Sequence, residues 1–147
     1  MTRSERMGPI KQLAEGRERD AGTALALARR ALEDHERQLA QLRQYRAEYA
    51  GRVSTGAAPD GVRLQNYHAF LARLSDAIDQ QERAVLEAAA QVERATDSWR
   101  ESRIESASIG RAVDKMAVAE RRVTDQRAQR ETDERALTGS TTTRDSY

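Results

Sequence analysis

Over residues 64–123 a candidate core position recurs at alternating steps of three and four. The positions are Leu64, Tyr67, Leu71, Leu74, Ile78, Gln81, Val85, Ala88, Val92, Ala95, Trp99, Ser102, Ser106, Ile109, Val113, Met116, Glu120 and Val123. A repeat of about 3.5 residues keeps one narrow stripe facing a partner helix over many turns, as a coiled-coil seam requires. A second repeat runs over 25–49, with Leu25, Leu32, Leu39 and Arg46 at a and Ala28, His35, Leu42 and Tyr49 at d. Upstream the pattern smears, since Ile10, Leu13, Ala14, Ala21 and Ala24 fall on neighbouring positions. Either the helix shifts register there or a face of small residues packs closely. The pattern predicts an all-α fold of two long helices.

Punctuation in the sequence sets the expected boundaries. Gly8-Pro9 suits a helix start, because proline's missing N–H falls in a first turn where it would be unpaired anyway. Residues 1–8 read as a flexible N-terminus and 9–50 as helix one. The segment 51–61 holds Gly51, Gly56, Gly61, Pro59 and a Pro-Asp-Gly turn signal, and reads as the connecting loop. Asp60 is the expected N-cap of helix two, which covers 62–136 and has Gly110 as its weak point. At about 1.5 Å per residue, roughly 70 residues of helix span on the order of 100 Å. The end, 137–147, is small, polar and non-periodic, and reads as a disordered tail.

Two heptad helices joined by a short loop fold back as an antiparallel coiled-coil hairpin. With Tyr49 opposite Leu64, the layers are Leu42 with Leu71, Leu39 with Leu74, His35 with Ile78, Ala28 with Val85, and Ala14 with Trp99. Helix two is the longer and overhangs beyond about residue 102. There Ile109, Val113, Met116 and Val123 either await another surface or belong to a frayed end.

The two flanks of the seam differ in kind. One side, formed by the e positions, carries Arg29, Glu36, Arg43, His68, Ser75 and Glu82; the other, formed by the g positions, carries Ala24, Ala31, Gln38, Tyr45, Phe70, Ala77, Ala84 and Gln91 and has no charge. Aromatics bracketed by small residues supply large contact area at low entropic cost, as a partner anchor does. The alternative is a widened a/d/g core stripe.

Composition narrows the function classes. Charged residues make up 33% of the 147 and aromatics only 4%, too few large apolar groups for a globular core of ordinary size. Basic and acidic residues balance at 25 and 24, interspersed along the helices, which argues against a nucleic-acid or membrane footprint. The basic set is almost all arginine, with Lys11 and Lys115 the exceptions. Cysteine is absent, so disulfides, thiolate nucleophiles and sulfur-ligated metals are excluded. His35 occupies a seam position and His68 the charged flank, and they are not paired for metal. No phosphate loop or nucleophile elbow appears, and a narrow coiled coil offers no concave pocket for shifting pKa values. The expectation is a non-enzyme without cofactors. No apolar run reaches the roughly 18 residues of a membrane span, and the default is a soluble cytoplasmic protein.

Taken in order, Leu42-x-x-Tyr45-Arg46-x-Glu48-Tyr49, the Gly/Pro loop, Asn66-Tyr67-x-x-Phe70-Leu71-x-x-Leu74-x-x-x-Ile78 and Ser98-Trp99-Arg100-Glu101 resemble the flagellar FliJ family, as do the length and the early Leu13-Ala14-Glu15. The resemblance implies a stalk-like component of the flagellar type III export apparatus, cytoplasmic and peripherally associated with the inner membrane. Its expected partners are the hexameric export ATPase ring FliI, which receives the end holding both termini, the cytoplasmic domain of the export gate FlhA, and export chaperones. The gate contacts carry over to Gln38, Leu42, Tyr45, Tyr49, Phe70, Leu74, Ala77 and Gln81; some relatives carry histidine at the last of these. Arg111, Lys115, Arg121 and Arg122 become candidate contacts to the ATPase ring. The rival readings are the equivalent stalk of a virulence secretion system and a purely structural homodimeric coiled coil; a hairpin is expected to be a monomer when isolated.

Overall fold

The computed structural model describes residues 1–55 and 61–144, and all regular structure in them is α-helical. A short helix α1 (Arg3–Arg6) is followed by α2 (Gly8–Thr55) and α3 (Gly61–Arg144). The two long helices, the second the longer, form the expected helical hairpin. The chain divides into two compact units, Arg19–Glu101 and the pairing of Met1–Glu18 with Ser102–Tyr147.

In the unit Arg19–Glu101, two clusters form the core. Leu39, Leu74 and Ile78 are buried, Ile78 to 2% exposure, with Leu42, Phe70 and Val85 packed against them. Leu25, Ala28 and Ala95 form the second cluster, covered by Val92 and Trp99. Leu39 and Leu74 share one cluster as the heptads predict, but the layers of Tyr49, His35 and Ala28 are displaced. Tyr49 stacks on Tyr67 with ring centroids 5.3 Å apart, while Leu64 is exposed. His35 bonds to Gln81, and Ala28 joins Ala95 and Val92 instead of Val85.

The cause is the turn. α2 runs on to Thr55, beyond the expected end at 50, and α3 begins at Gly61. The turn therefore sits later in the sequence, and α2 residues meet α3 further along, by about one helical turn at Tyr49 and His35 and by two or more at Ala28. Gly51 is carried inside α2 without a positive φ, and Arg52 lies in the last turn, where a cation suits the helix dipole. Loop residues 56–60, including Pro59 and the Asp60 cap, lie outside the described residues. Trp99 is displaced as well. A helical side chain leans toward its own N-terminus, so the indole reaches back to Gly22, not to Ala14; a Cβ at Gly22 would lie 3.6 Å from it.

In the unit of Met1–Glu18 with Ser102–Tyr147, the described helices and their pairing reach further than the spacing predicts. Residues 1–8 are helical for most of their length, because Thr2 caps α1 in a reciprocal box: Glu5 N–H donates to Thr2 Oγ1 (3.3 Å) and Thr2 N–H donates to Glu5 Oε2 (2.9 Å). The overhang does not begin near 102 either. Arg17 pairs with Glu105 at 3.7 Å, and Ser4 bonds to Glu120. Ser4, Met7, Lys11, Ala14 and Glu18 recur at seam spacing and are half-buried, Ala14 fully so at 3% exposure. Opposite them Ile109, Val113 and Met116 are half-buried, and every residue from 121 to 141 is exposed. α3 also continues through most of the expected tail, to Arg144. Three of its hydroxyls return to the helix's own carbonyls: Thr138 donates to Glu134 O (3.0 Å), Ser140 to Leu137 O (2.9 Å) and Thr141 to Leu137 O (2.6 Å). Residues 145–147 lie outside the described residues.

Candidate functional site

The uncharged flank of the unit Arg19–Glu101 gathers most of the expected gate residues. Tyr45 is 47% exposed on α2 and meets Phe70 of α3 edge-on, with ring centroids 6.0 Å apart and planes at 80°. Phe70 in turn leans on Tyr49 at 4.5 Å and on the Leu39/Leu74/Ile78 core. Edge-to-face pairing matches a ring's positive rim to its neighbour's negative face. Tyr45 is thus held upright by packing beneath it while its own face stays open.

Beside Tyr45 lies a shallow groove of about 400 Å³ lined by Gln38, Gln41, Leu42, Tyr45 and Gln81. Its floor is a polar layer. Gln81 Nε2 donates to the His35 carbonyl at 2.9 Å and lies 3.0 Å from His35 Nδ1 and 3.2 Å from Gln38 Oε1. A carbonyl oxygen can only accept, so the Gln81 atom facing it is the amide nitrogen. That orients the whole amide, and through it Gln38. The groove wall continues as small residues: Ala28, Ala31, Ala84 and Ala88 line the next hollow, of about 320 Å³.

The eight expected residues therefore divide. Gln38, Leu42, Tyr45 and Gln81 share the groove, and Tyr49 and Phe70 brace Tyr45. Leu74, at 7% exposure, belongs to the core and acts by supporting the surface; Ala77 is half-buried. Gln41 and Tyr67 join the surface unforeseen. Tyr67 carried a signal, its d position on the heptad, whereas Gln41 is an ordinary outer residue drawn in by the displaced register.

The sequence model of a family described as "Flagellar FliJ protein" matches residues 3–141. The chain belongs to the FliJ family. No curated protein matches the chain. As a FliJ-family chain it is a flagellar export-associated helical protein, and none of the helices among the described residues is long and apolar enough to cross a membrane.

The four basic residues singled out in the sequence fall in the other unit. Arg111, Lys115, Arg121 and Arg122 are all exposed on α3. Arg111, Lys115 and Arg122 share one helical stripe by their spacing, and Lys115 and Arg122 border a hollow of about 370 Å³ with Asp114, Val118 and Ala119. Arg121 points roughly 100° away from Arg122. Next to them, the Glu120 carboxylate accepts from both the Ser4 hydroxyl and the Ser4 N–H (2.9 Å). The Ser4 hydroxyl, followed by the Ser4 N–H, holds its pKa below the ordinary carboxylate value.

Proposed function

We propose that this FliJ-family chain is a non-enzymatic, stalk-like adaptor of flagellar type III protein export. Its uncharged flank engages the cytoplasmic domain of the export gate FlhA. Its terminal unit enters the ring of the export ATPase FliI through Arg111, Lys115, Arg121 and Arg122. Through these contacts it links the ATPase to the gate at the inner membrane and assists the cycling of export chaperones.

The observation that carries the reading is Tyr45. It is a half-exposed aromatic braced by Phe70 and Tyr49 over a glutamine-lined groove, on the flank that has no charge. Rigid aromatic anchors with small neighbours dominate the energetics of protein interfaces. The balanced charge of 25 basic and 24 acidic residues fits a chain that meets proteins and not polyanions.

The experiment is capture of the FlhA cytoplasmic domain by the chain carrying Tyr45→Ala together with Phe70→Ala. Capture is abolished while helicity by circular dichroism persists. Unchanged capture sinks the proposal, and a large loss of helicity would show that Tyr45 as well as Phe70 supports the core, in which case Tyr45→Ala alone decides capture.

A further inference from the structure

The polar layer under the groove has a donor direction that only one state of His35 fits, with two amide hydrogens shared among three acceptors. Gln81 Nε2 faces three atoms, the His35 carbonyl, His35 Nδ1 and Gln38 Oε1, at 2.9, 3.0 and 3.2 Å. An amide nitrogen donates and does not accept, so Nδ1 is bare and the ring is neutral, with its proton on Nε2. An imidazole gains its second proton between about pH 8 and pH 5. Nδ1–H would then point at the Gln81 amide hydrogens, donor against donor.

The charged groups around the ring do not supply an alternative partner within the seam. On α2 the residues one turn away, Ala31, Leu32, Gln38 and Leu39, carry no charge, and Asp34, paired with Arg37 at 3.3 Å, and Glu36 flank His35 in sequence. On α3 the neighbours are Glu82, paired with Arg43 at 3.0 Å, and Glu87, which lines a hollow with His35 and is paired with Arg94 at 2.9 Å. The low-cost response is local. Gln81 turns its amide over, so that Oε1 accepts from Nδ1–H and the bond to the His35 carbonyl is given up. Gln38 must then turn over as well and donate inward to Gln81.

We propose that His35 is a proton-controlled determinant of the partner surface: the charge on its ring decides whether Gln38 offers an N–H or a carbonyl oxygen to the occupant of the groove. With His35 neutral, Gln38 spends its oxygen inward and keeps its N–H groups for a partner. With His35 charged, the polarity is reversed and only the Gln81 bond to the His35 carbonyl is given up. The consequence for export rests on reading the groove as the gate-binding surface.

Two measurements on the full chain decide it. In a nitrogen-15 NMR titration of the chain alone, His35 Nδ1 is unprotonated at about pH 7.5, and the side-chain amides of Gln81 and Gln38 shift with the same midpoint as the ring. A proton on Nδ1 at that pH, or amides that do not follow the ring, overturns the proposal. In the second measurement, affinity for the FlhA cytoplasmic domain falls about fivefold from about pH 7.5 to 5.5, the worth of one neutral hydrogen bond, and His35→Leu does not share the fall. Leucine suits a d position and removes the ring nitrogen. A wild-type to variant affinity ratio that is equal at the two pH values overturns the coupling. Absence of capture at both pH values overturns the gate reading instead, and the NMR titration still decides the switch by itself.

Discussion

Gly22 gives the sharpest test of the displaced register, because the indole of Trp99 lies over it. A Cβ built on Gly22 meets Trp99 Cδ1 and Nε1 at 3.6 Å, an ordinary van der Waals contact, and Gly22 lies inside α2 with a helical backbone. Gly22→Ala therefore adds a methyl that fits. The helix gains about 1 kcal/mol from propensity, and partial burial of the methyl against the ring adds a few tenths. For a chain of this length each kcal/mol raises Tm by about 3–4 °C, so the expected rise is about 3–5 °C. Gly110 is the control: nothing lies within 4 Å of its Cβ position, so Gly110→Ala gains the propensity term alone, about 1 kcal/mol. Gly22→Leu must push the indole aside and lowers Tm, whereas Gly110→Leu does not. Melts followed by far-UV circular dichroism measure all four variants, and Trp99, the chain's single tryptophan, reports its own surroundings by fluorescence. A drop in Tm for Gly22→Ala alongside a rise for Gly110→Ala would refute the placement of Trp99. Equal effects of leucine at the two sites would refute it as well.

The two rings at the groove separate by stability: Phe70→Ala, which empties a site packed on the Leu39/Leu74/Ile78 core, costs about 2–3 kcal/mol in denaturant unfolding, while Tyr45→Ala costs about 1 kcal/mol, the value of an edge-to-face pair. The Glu120 contact is pH-dependent with a definite sign. Its folded pKa is lowered by Ser4, so the contact stabilises the docked N-terminus above the ordinary carboxylate range near pH 4 and is lost as pH falls through the lower folded value. The protection factor of the Ser4 amide, taken relative to its intrinsic exchange rate at each pH, falls in acid, and at neutral pH in Glu120→Gln; protection that is unchanged in both cases contradicts this. Charge reversal at Arg121 and Arg122 weakens stimulation of the export ATPase and leaves gate capture intact, and unchanged stimulation counts against the ring contact.

Periodicity made the fold legible because a seam depends on spacing more than on composition. The heptads located Leu39, Leu74 and Ile78 in the core and separated an uncharged flank from a charged one. The glycines and proline placed the connection within 51–61, but α2 runs on to Thr55. Gly51 lies inside a helix whose last turns are supported by the stack of Tyr49 on Tyr67, a tertiary contact that outweighs glycine's helix penalty of about 1 kcal/mol. The N-terminal seam was hidden for a chemical reason: Ser4, Lys11 and Glu18 hold its spacing without being apolar. Likewise the 137–144 segment looks like a loop by composition, yet Thr138, Ser140 and Thr141 return their hydroxyls to the helix's own carbonyls. At the surface, Tyr45 and Phe70 were visible as aromatics on a bland flank. The Gln81–His35–Gln38 layer was not, since it depends on which residues the displaced turn brings opposite one another.

The claim that the uncharged flank is the gate-binding surface is tested most directly by calorimetric titration of the FlhA cytoplasmic domain into the chain. Three forms are compared: wild type, Tyr45→Ala, and Leu86→Ala, which removes an equally apolar side chain that is 70% exposed away from the groove. Loss of a central aromatic anchor weakens binding by roughly 30-fold or more, and Leu86→Ala binds like wild type. Wild-type affinity in Tyr45→Ala, or an equal loss in Leu86→Ala, would contradict it.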